Sequence, residues 1–228
     1  QDRLRIYTEA DGLPTDHLTA LAFDAAGALW IGTWGSGLSR HAEGRFSTIG
    51  STGGLDGDHV WALHVDREGS VWVGTWHGGL NRLSQRSFVV FGKPEGLASD
   101  NVRAVLHARD GAAWVSTAGG GVSRIQGGRI TLFGRAQGLA TDEASTLYED
   151  VDGAIWIGTY TEGVSRVHGG RVERFGVAQG LPHADVRVLL RDRRGTLWVG
   201  TRGGLARFDG RRFEPVREAG APTEGISV

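Results

Sequence analysis

Apolar residues in this chain come in short runs of five to eight, broken by glycine-rich turns every few positions. The stretch His59–Asp66 is an apolar run, "REG" a turn, and Ser70–Thr75 a second run. "WHGG" is a loop, Leu80–Ser84 a third run, "QR" a turn, and Ser87–Phe91 a fourth. Runs of this length between Gly-rich breaks predict an antiparallel meander of four strands. No window sustains the 3.6-residue period of an amphipathic helix.

The unit recurs. Trp-[Ile/Val]-[Gly/Ser]-Thr occurs five times, at Trp30, Trp72, Trp114, Trp156 and Trp198, each 42 residues after the last. A period in the low forties with four short strands per unit is the signature of propeller blades. The expected fold is therefore an all-β propeller of four-stranded antiparallel blades, a single domain over 1–228. Its blades fall at about 13–50, 55–92, 97–134, 139–176 and 181–216. Outer-strand patterns appear six times: Leu4–Tyr7, Phe46–Ile49, Phe88–Phe91, Ile130–Phe133, Val172–Phe175 and Phe213–Val216. The spare copy predicts an extra outer strand in residues 1–8. Gly220–Val228 resembles Gly12–Ala20 and reads as a tail or the start of a further repeat. Five blades with a spare strand make either a closed ring or part of a larger array. The second is favoured, with open edges covered by self-association.

Composition narrows the function classes. With 25 basic and 26 acidic residues, the net charge of −1 predicts neither a nucleic-acid binder nor membrane contact by this segment. There is no cysteine, hence no disulfide or thiolate metal site. No apolar run approaches a transmembrane span and no signal-peptide pattern is present. The opening Gln1 points to a processed or trimmed form. No motif calls for a cofactor.

Five copies of one unit act as an internal control. A residue identical in every blade solves a packing problem that every blade has. The motif tryptophans are expected to fill the wedge between blades, and the following Thr33, Thr75, Thr117, Thr159 and Thr201 to bond neighbouring backbone. Asp-x-x-Gly turns stand at Asp24, Asp66, Asp150 and Asp192, and the third copy has Ala108 instead. Arg40, Arg82, Arg166 and Arg207 are expected to pair with these aspartates, while Arg124 lacks that partner.

Positions that differ between copies are candidates for recognition. After each Thr come Trp34, Trp76, Ala118, Tyr160 and Arg202. The innermost strands open on His17, His59, Asn101, Glu143 and Asp185, with Thr19, Trp61, Arg103, Ser145 and Arg187 two residues on. Loops and strand starts of a meander share one face, which places these side chains at one mouth. Aromatic faces there would stack apolar surfaces while charges fix orientation, suiting a small polar ligand such as an oligosaccharide or peptide. The expected ligand-binding set is Trp34, Trp76, Tyr160, Arg202, His17, His59, Trp61, Asn101, Arg103, Glu143, Asp185 and Arg187. A metal site is not expected, because ligands spread around a channel are too far apart for one ion. Nucleophile elbows, phosphate loops and metalloprotease helices are lacking, and only Glu143 and Asp185 suggest an acid/base pair.

The copies resemble the two-component regulator propeller repeat, best seen in "GLPTDHLTALAFDAAGALWIGTWGSGLSRHAEGRF" (Gly12–Phe46). The resemblance implies the extracytoplasmic, periplasmic input region of a bacterial signalling protein, placed before a membrane span and a histidine kinase or diguanylate cyclase. It implies no shared catalytic residues. A ligand-binding sensor is the leading expectation. A protein-interaction scaffold and a propeller lyase or hydrolase are the alternatives.

Overall fold

In a computed structural model, residues 4–84 and 87–216 are described. They form five four-stranded antiparallel sheets, each in simple sequence order. Blade one runs through Leu18–Phe23, Leu29–Thr33, Leu38–Ala42 and Arg45–Ile49; blade two through Val60–Val65, Val71–Thr75, Leu80–Ser84 and Ser87–Phe91. Blade three holds Val102–His107, Ala113–Thr117, Gly121–Gln126 and Arg129–Phe133. Blade four holds Ala144–Glu149, Ile155–Thr159, Val164–His168 and Arg171–Phe175, and blade five Val186–Arg191, Leu197–Thr201, Gly204–Phe208 and Phe213–Pro215. This is the all-β propeller fold that the 42-residue period predicts. The chain divides into two compact units: Gln1–Gly96 with Asp100–Val105, and Leu97–Ser99 with Leu106–Val228.

Leu4–Tyr7 is a correction. It has the pattern of an outer strand but joins none of the five sheets. Arg45–Ile49 already occupies the outer edge of blade one. Tyr7 instead lies against His41 and Phe46, at centroid distances of 5.1 and 5.6 Å. The tail at 217–228 lies outside the described residues.

The connections between blades carry structure that periodicity alone did not signal. Each is a three-residue 3-10 turn closed by a left-handed glycine: Gly12, Gly54, Gly96, Gly138 or Gly180. The leucine after each, from Leu13 to Leu181, is buried. In the first four, an aspartate seven residues beyond the start of the turn braces it, as where Asp58 accepts from the Ser51 amide at 2.8 Å and Asp142 from the Arg135 amide at 2.9 Å; the fifth has Ala184 there.

Three of the motif tryptophans, Trp30, Trp114 and Trp156, fill the gaps between successive blades. In the first unit Trp30 packs with Leu55, Val60, Val71 and Val73 of blade two. In the second, Trp114 packs with Ile155 and Ile157 of blade four, and Trp156 with Leu189, Leu197 and Val199 of blade five. The turn aspartates have a role beyond shaping the turn: each accepts the indole N–H of its own blade. The distances are 3.1 Å for Trp30–Asp24, 2.7 Å for Trp72–Asp66, 3.1 Å for Trp156–Asp150 and 2.8 Å for Trp198–Asp192. In blade three, where Ala108 replaces the aspartate, the buried Trp114 indole N–H has no partner.

This explains a second correction. Of the expected Arg–Asp pairs, Arg40–Asp24 forms, at 3.6 Å. Arg82 donates to Ser70 Oγ, Arg124 pairs with Asp110, Arg166 with Asp152 and Glu173, and Arg207 with Glu214. The indole takes one carboxylate oxygen wherever the aspartate is present, and in blades one to four the arginine lies over the indole ring. Guanidinium-to-centroid distances are 5.5 Å for Arg40 on Trp30, 5.3 Å for Arg82 on Trp72, 5.8 Å for Arg124 on Trp114 and 5.7 Å for Arg166 on Trp156. Cations over an aromatic face are attracted by its quadrupole.

Candidate functional site

The threonine after each motif closes the loop that follows. Its hydroxyl donates to a backbone carbonyl across that loop: Thr33 to Gly37, Thr75 to Gly79, Thr117 to Gly121, Thr159 to Gly163 and Thr201 to Gly204. The next residue is thereby held, whatever its side chain. Its amide donates to the carbonyl of the residue that opens the first strand of the same blade. Trp34 bonds His17 at 3.0 Å, Trp76 bonds His59 at 2.9 Å, Tyr160 bonds Glu143 at 3.4 Å, and Arg202 bonds Asp185 at 2.9 Å. Two of the variable columns are thus neighbours within each of these blades. A backbone bond does not depend on residue identity, so the side chains above it can differ freely.

The third variable column has its own cause. In blades one, two, four and five the register of the first strand slips at its second residue, leaving Thr19, Trp61, Ser145 and Arg187 as bulged positions. A bulge leaves one residue unpaired and re-aims its side chain. Where that residue is a hydroxyl, it stitches the next blade: Thr19 donates to the Val60 carbonyl at 2.7 Å and Ser145 to that of Val186 at 2.9 Å. Where it is Trp61 or Arg187, the side chain is exposed.

In the first unit these positions bring four expected residues together with one that was not expected. Trp34 meets His59 edge-on at 4.8 Å and Trp61 at 5.3 Å, and Trp61 meets Trp76 at 6.0 Å. Trp76 continues to His77 at 5.5 Å. Within this run of five rings Trp34 is 42% exposed and Trp61 37%, while His59 and Trp76 are half-buried. His77 has a φ of 75°, a conformation that non-glycine residues rarely hold, and such strain collects at functional sites. Its amide is fixed by Asn101 Oδ1 at 2.9 Å. Asn101 thus has an anchoring task, and His77 is the added member. The only trace of His77 in the sequence is a non-glycine residue in "WHGG", where the loop needs a positive φ. His17 is exposed beside Trp34's backbone, and Arg103 is half-buried two residues along from Asn101.

The second unit gathers a more polar group. Arg187 Nε lies 2.7 Å from Asp185 Oδ1 and its guanidinium 4.8 Å from the Tyr160 centroid. Donating to Asp185 raises the Arg187 pKa further. Asp185 is buried, while Arg187 and Arg202 are exposed. Glu143, half-buried, is tied through its backbone to Thr141 and Tyr160. A cavity of about 780 Å³ in this unit lies elsewhere, among the turn residues of blades four and five. Arg166 and Arg191 on its wall are already paired with Asp152 and Asp150. No helix among the described residues is long and apolar enough to cross a membrane.

Comparison with known proteins agrees with this geometry. Among solved structures, the extracellular domain of a putative hybrid two-component system from B. thetaiotaomicron superposes with a TM-score of 0.80 at 24% identity, over 92% of this chain and 31% of that one. The extracellular domain of a putative one-component system from the same organism gives 0.81 at 18% identity, over 98% and 34%. Virginiamycin B lyase from Staphylococcus aureus gives 0.73 at 15% identity, over 91% and 71%. This chain spans about a third of the length of the two system domains. At these identities the likeness is one of fold. No curated protein matches by sequence. The two-component regulator propeller model matches residues 12–35, 54–77, 138–161 and 180–203. The third copy, outside those matches, departs from the others at Ala108 and Ser116. In these four repeats the chain is similar to the two-component regulator propeller family.

Proposed function

We propose that this chain is a ligand-recognition segment of an extracytoplasmic bacterial sensor, with no catalytic step of its own. The observation that carries the reading is the run Trp34–Trp61–Trp76, flanked by His59 and His77. These side chains stand at positions that differ from blade to blade, on a backbone that does not. Burying so much indole would be easy in a propeller, as the motif tryptophans show; here Trp34 and Trp61 stay exposed and Trp76 is only half-buried. Exposed aromatic surface with few charges suits an extended polar ligand with apolar faces, such as an oligosaccharide or a peptide. The extracytoplasmic placement rests on the family and on the extracellular system domains that share the fold.

The lyase among the fold relatives raises an enzymatic alternative. It would rest on Glu143 and Asp185, and the ion pair with Arg187 engages Asp185. A general base needs a carboxylate free to take a proton.

The test is a thermal-shift and tryptophan-fluorescence screen against oligosaccharides and short peptides, with Trp34→Ala and Trp76→Ala as controls. A ligand found in the screen should lose about tenfold or more in affinity on either substitution, the equivalent of about 1.4 kcal/mol. Binding unchanged in both variants would refute this placement of the site, and turnover abolished by Glu143→Gln would favour the enzyme.

A further inference from the structure

Blade three breaks a rule that the other four keep. In each of those, the indole N–H of the motif tryptophan reaches the carboxylate of the turn aspartate. Blade three has Ala108 at that position. Trp114 is only 5% exposed, and its indole N–H has no partner among the described residues. A buried donor without an acceptor is costly, and one that persists calls for an explanation.

Three carboxylates stand close by, and each is engaged elsewhere. Asp110 accepts the Ala112 amide at 2.9 Å and Arg124 at 2.8 Å. Glu149 accepts the Arg109 amide at 3.0 Å and Arg109 Nε at 3.2 Å. Asp152 accepts the Ala154 amide at 2.9 Å and pairs with Arg166. Blade four has the same second aspartate in its turn, Asp152, yet still uses Asp150 for its indole. Blade three keeps the second aspartate and drops the first, so the second does not stand in for it.

Ala108 and Trp114 line a cavity of about 410 Å³ between blades three and four, whose lining residues all belong to the second unit. The missing carboxylate would have stood at this wall. Ala108 and Ile155 make the wall apolar and are buried. Asp110 and Asp152, also lining the cavity, are exposed, and Glu149 is half-buried. A carboxylate oxygen accepts more than one hydrogen bond, so all three can still receive a donor.

The geometry points to a ligand site in this cleft for a neutral amide. The amide C=O accepts the Trp114 indole N–H, its N–H donates to a carboxylate of the cavity, and its apolar substituent lies against Ala108 and Ile155. An anion is disfavoured beside three carboxylates. An ammonium has no lone pair to offer the indole. A peptide bond and the acetamido group of an amino sugar share the required chemistry. This site is separate from the aromatic run, which belongs to the first unit, and stands whether or not that run binds a ligand.

The indole N–H signals of the full chain, followed in proton–nitrogen correlation spectra, test it. The Trp114 signal is assigned by its loss in Trp114→Phe. The probes are N-acetylalanine methylamide, N-acetylglucosamine and acetate. An amide probe should move the Trp114 signal downfield and saturate, while acetate leaves it in place; the tighter of the two amides names the source. Ala108→Asp gives blade three the acceptor that the other blades have. In that variant the Trp114 signal should stand downfield from the start, and amide binding should weaken about tenfold or more. A Trp114 signal that neither amide moves, one that acetate moves as far, or amide binding that Ala108→Asp leaves intact would each overturn the site.

Discussion

At the scale of single residues, the motif aspartate and the motif tryptophan form one device. A buried indole N–H needs an acceptor, and leaving one unmade costs more than making it gains. Asp66 supplies it in blade two, along with a bond from the Ser70 amide. Asp66→Ala should lower stability by about 1–3 kcal/mol, read from the urea midpoint, because the Trp72 indole is orphaned. Blade three is the reverse experiment already made, since the Trp114 indole has no acceptor. Ala108→Asp should raise stability by about 0.5–1.5 kcal/mol, again read from the urea midpoint, as the new carboxylate accepts the Trp114 indole N–H. The same substitution in a Trp114→Phe background should bring no such gain.

At the scale of the element, the loop between the second and third strands decides where recognition residues stand. Its closing glycine is set by geometry. At Gly79, φ is 68° and an added Cβ would meet the Phe91 carbonyl oxygen at 2.4 Å. Gly79→Ala should therefore cost roughly 1–3 kcal/mol in strain, measured by thermal or urea unfolding. Gly69, in the turn of the same blade, has a φ of 82° but open space around it. Gly69→Ala carries the left-handed penalty alone, about 1–2 kcal/mol. The larger loss at Gly79 would show that the approach of the fourth strand, and not the dihedral alone, holds this loop.

For the molecule as a whole, acid should be the sensitive direction. Burial pushes the Asp24 carboxyl up, but bonds from the Ala28 amide, the Trp30 indole and the Ala26 amide outweigh it and hold its pKa below 3.8. Desolvation is likewise overcome at Asp110, by Arg124 and the Ala112 amide, and at Asp152, by the Ala154 amide and Arg166. Asp192 is held down mainly by the Trp198 indole, and Asp209 by the Arg212 and Arg211 amides. A group whose pKa is lower folded than unfolded adds stability that is fully present above the unfolded value. Stability should thus be level in this respect above the unfolded value of 3.8 and fall as pH drops through the lower folded values. Urea midpoints across pH 2–6 check this, and Asp24→Asn should flatten part of the fall.

The strands, their grouping in fours and the five-fold recurrence were all legible in the sequence, because they depend on local alternation and on a period that repeats unaltered. The threonine contacts and the tryptophan wedge were legible for the same reason: an identical residue in every copy answers a need every copy has. The variable columns were also legible as columns. What they do was decided by the tertiary structure. The bulge at Trp61 and Arg187, the clamp from Asn101 to His77, and the pairing of Asp185 with Arg187 arise between residues far apart in the chain or at a slipped register. Periodicity reports which face a residue occupies. It does not report which neighbour reaches it first: the indoles take the turn aspartates, and Arg40, Arg82, Arg124 and Arg166 lie over the rings.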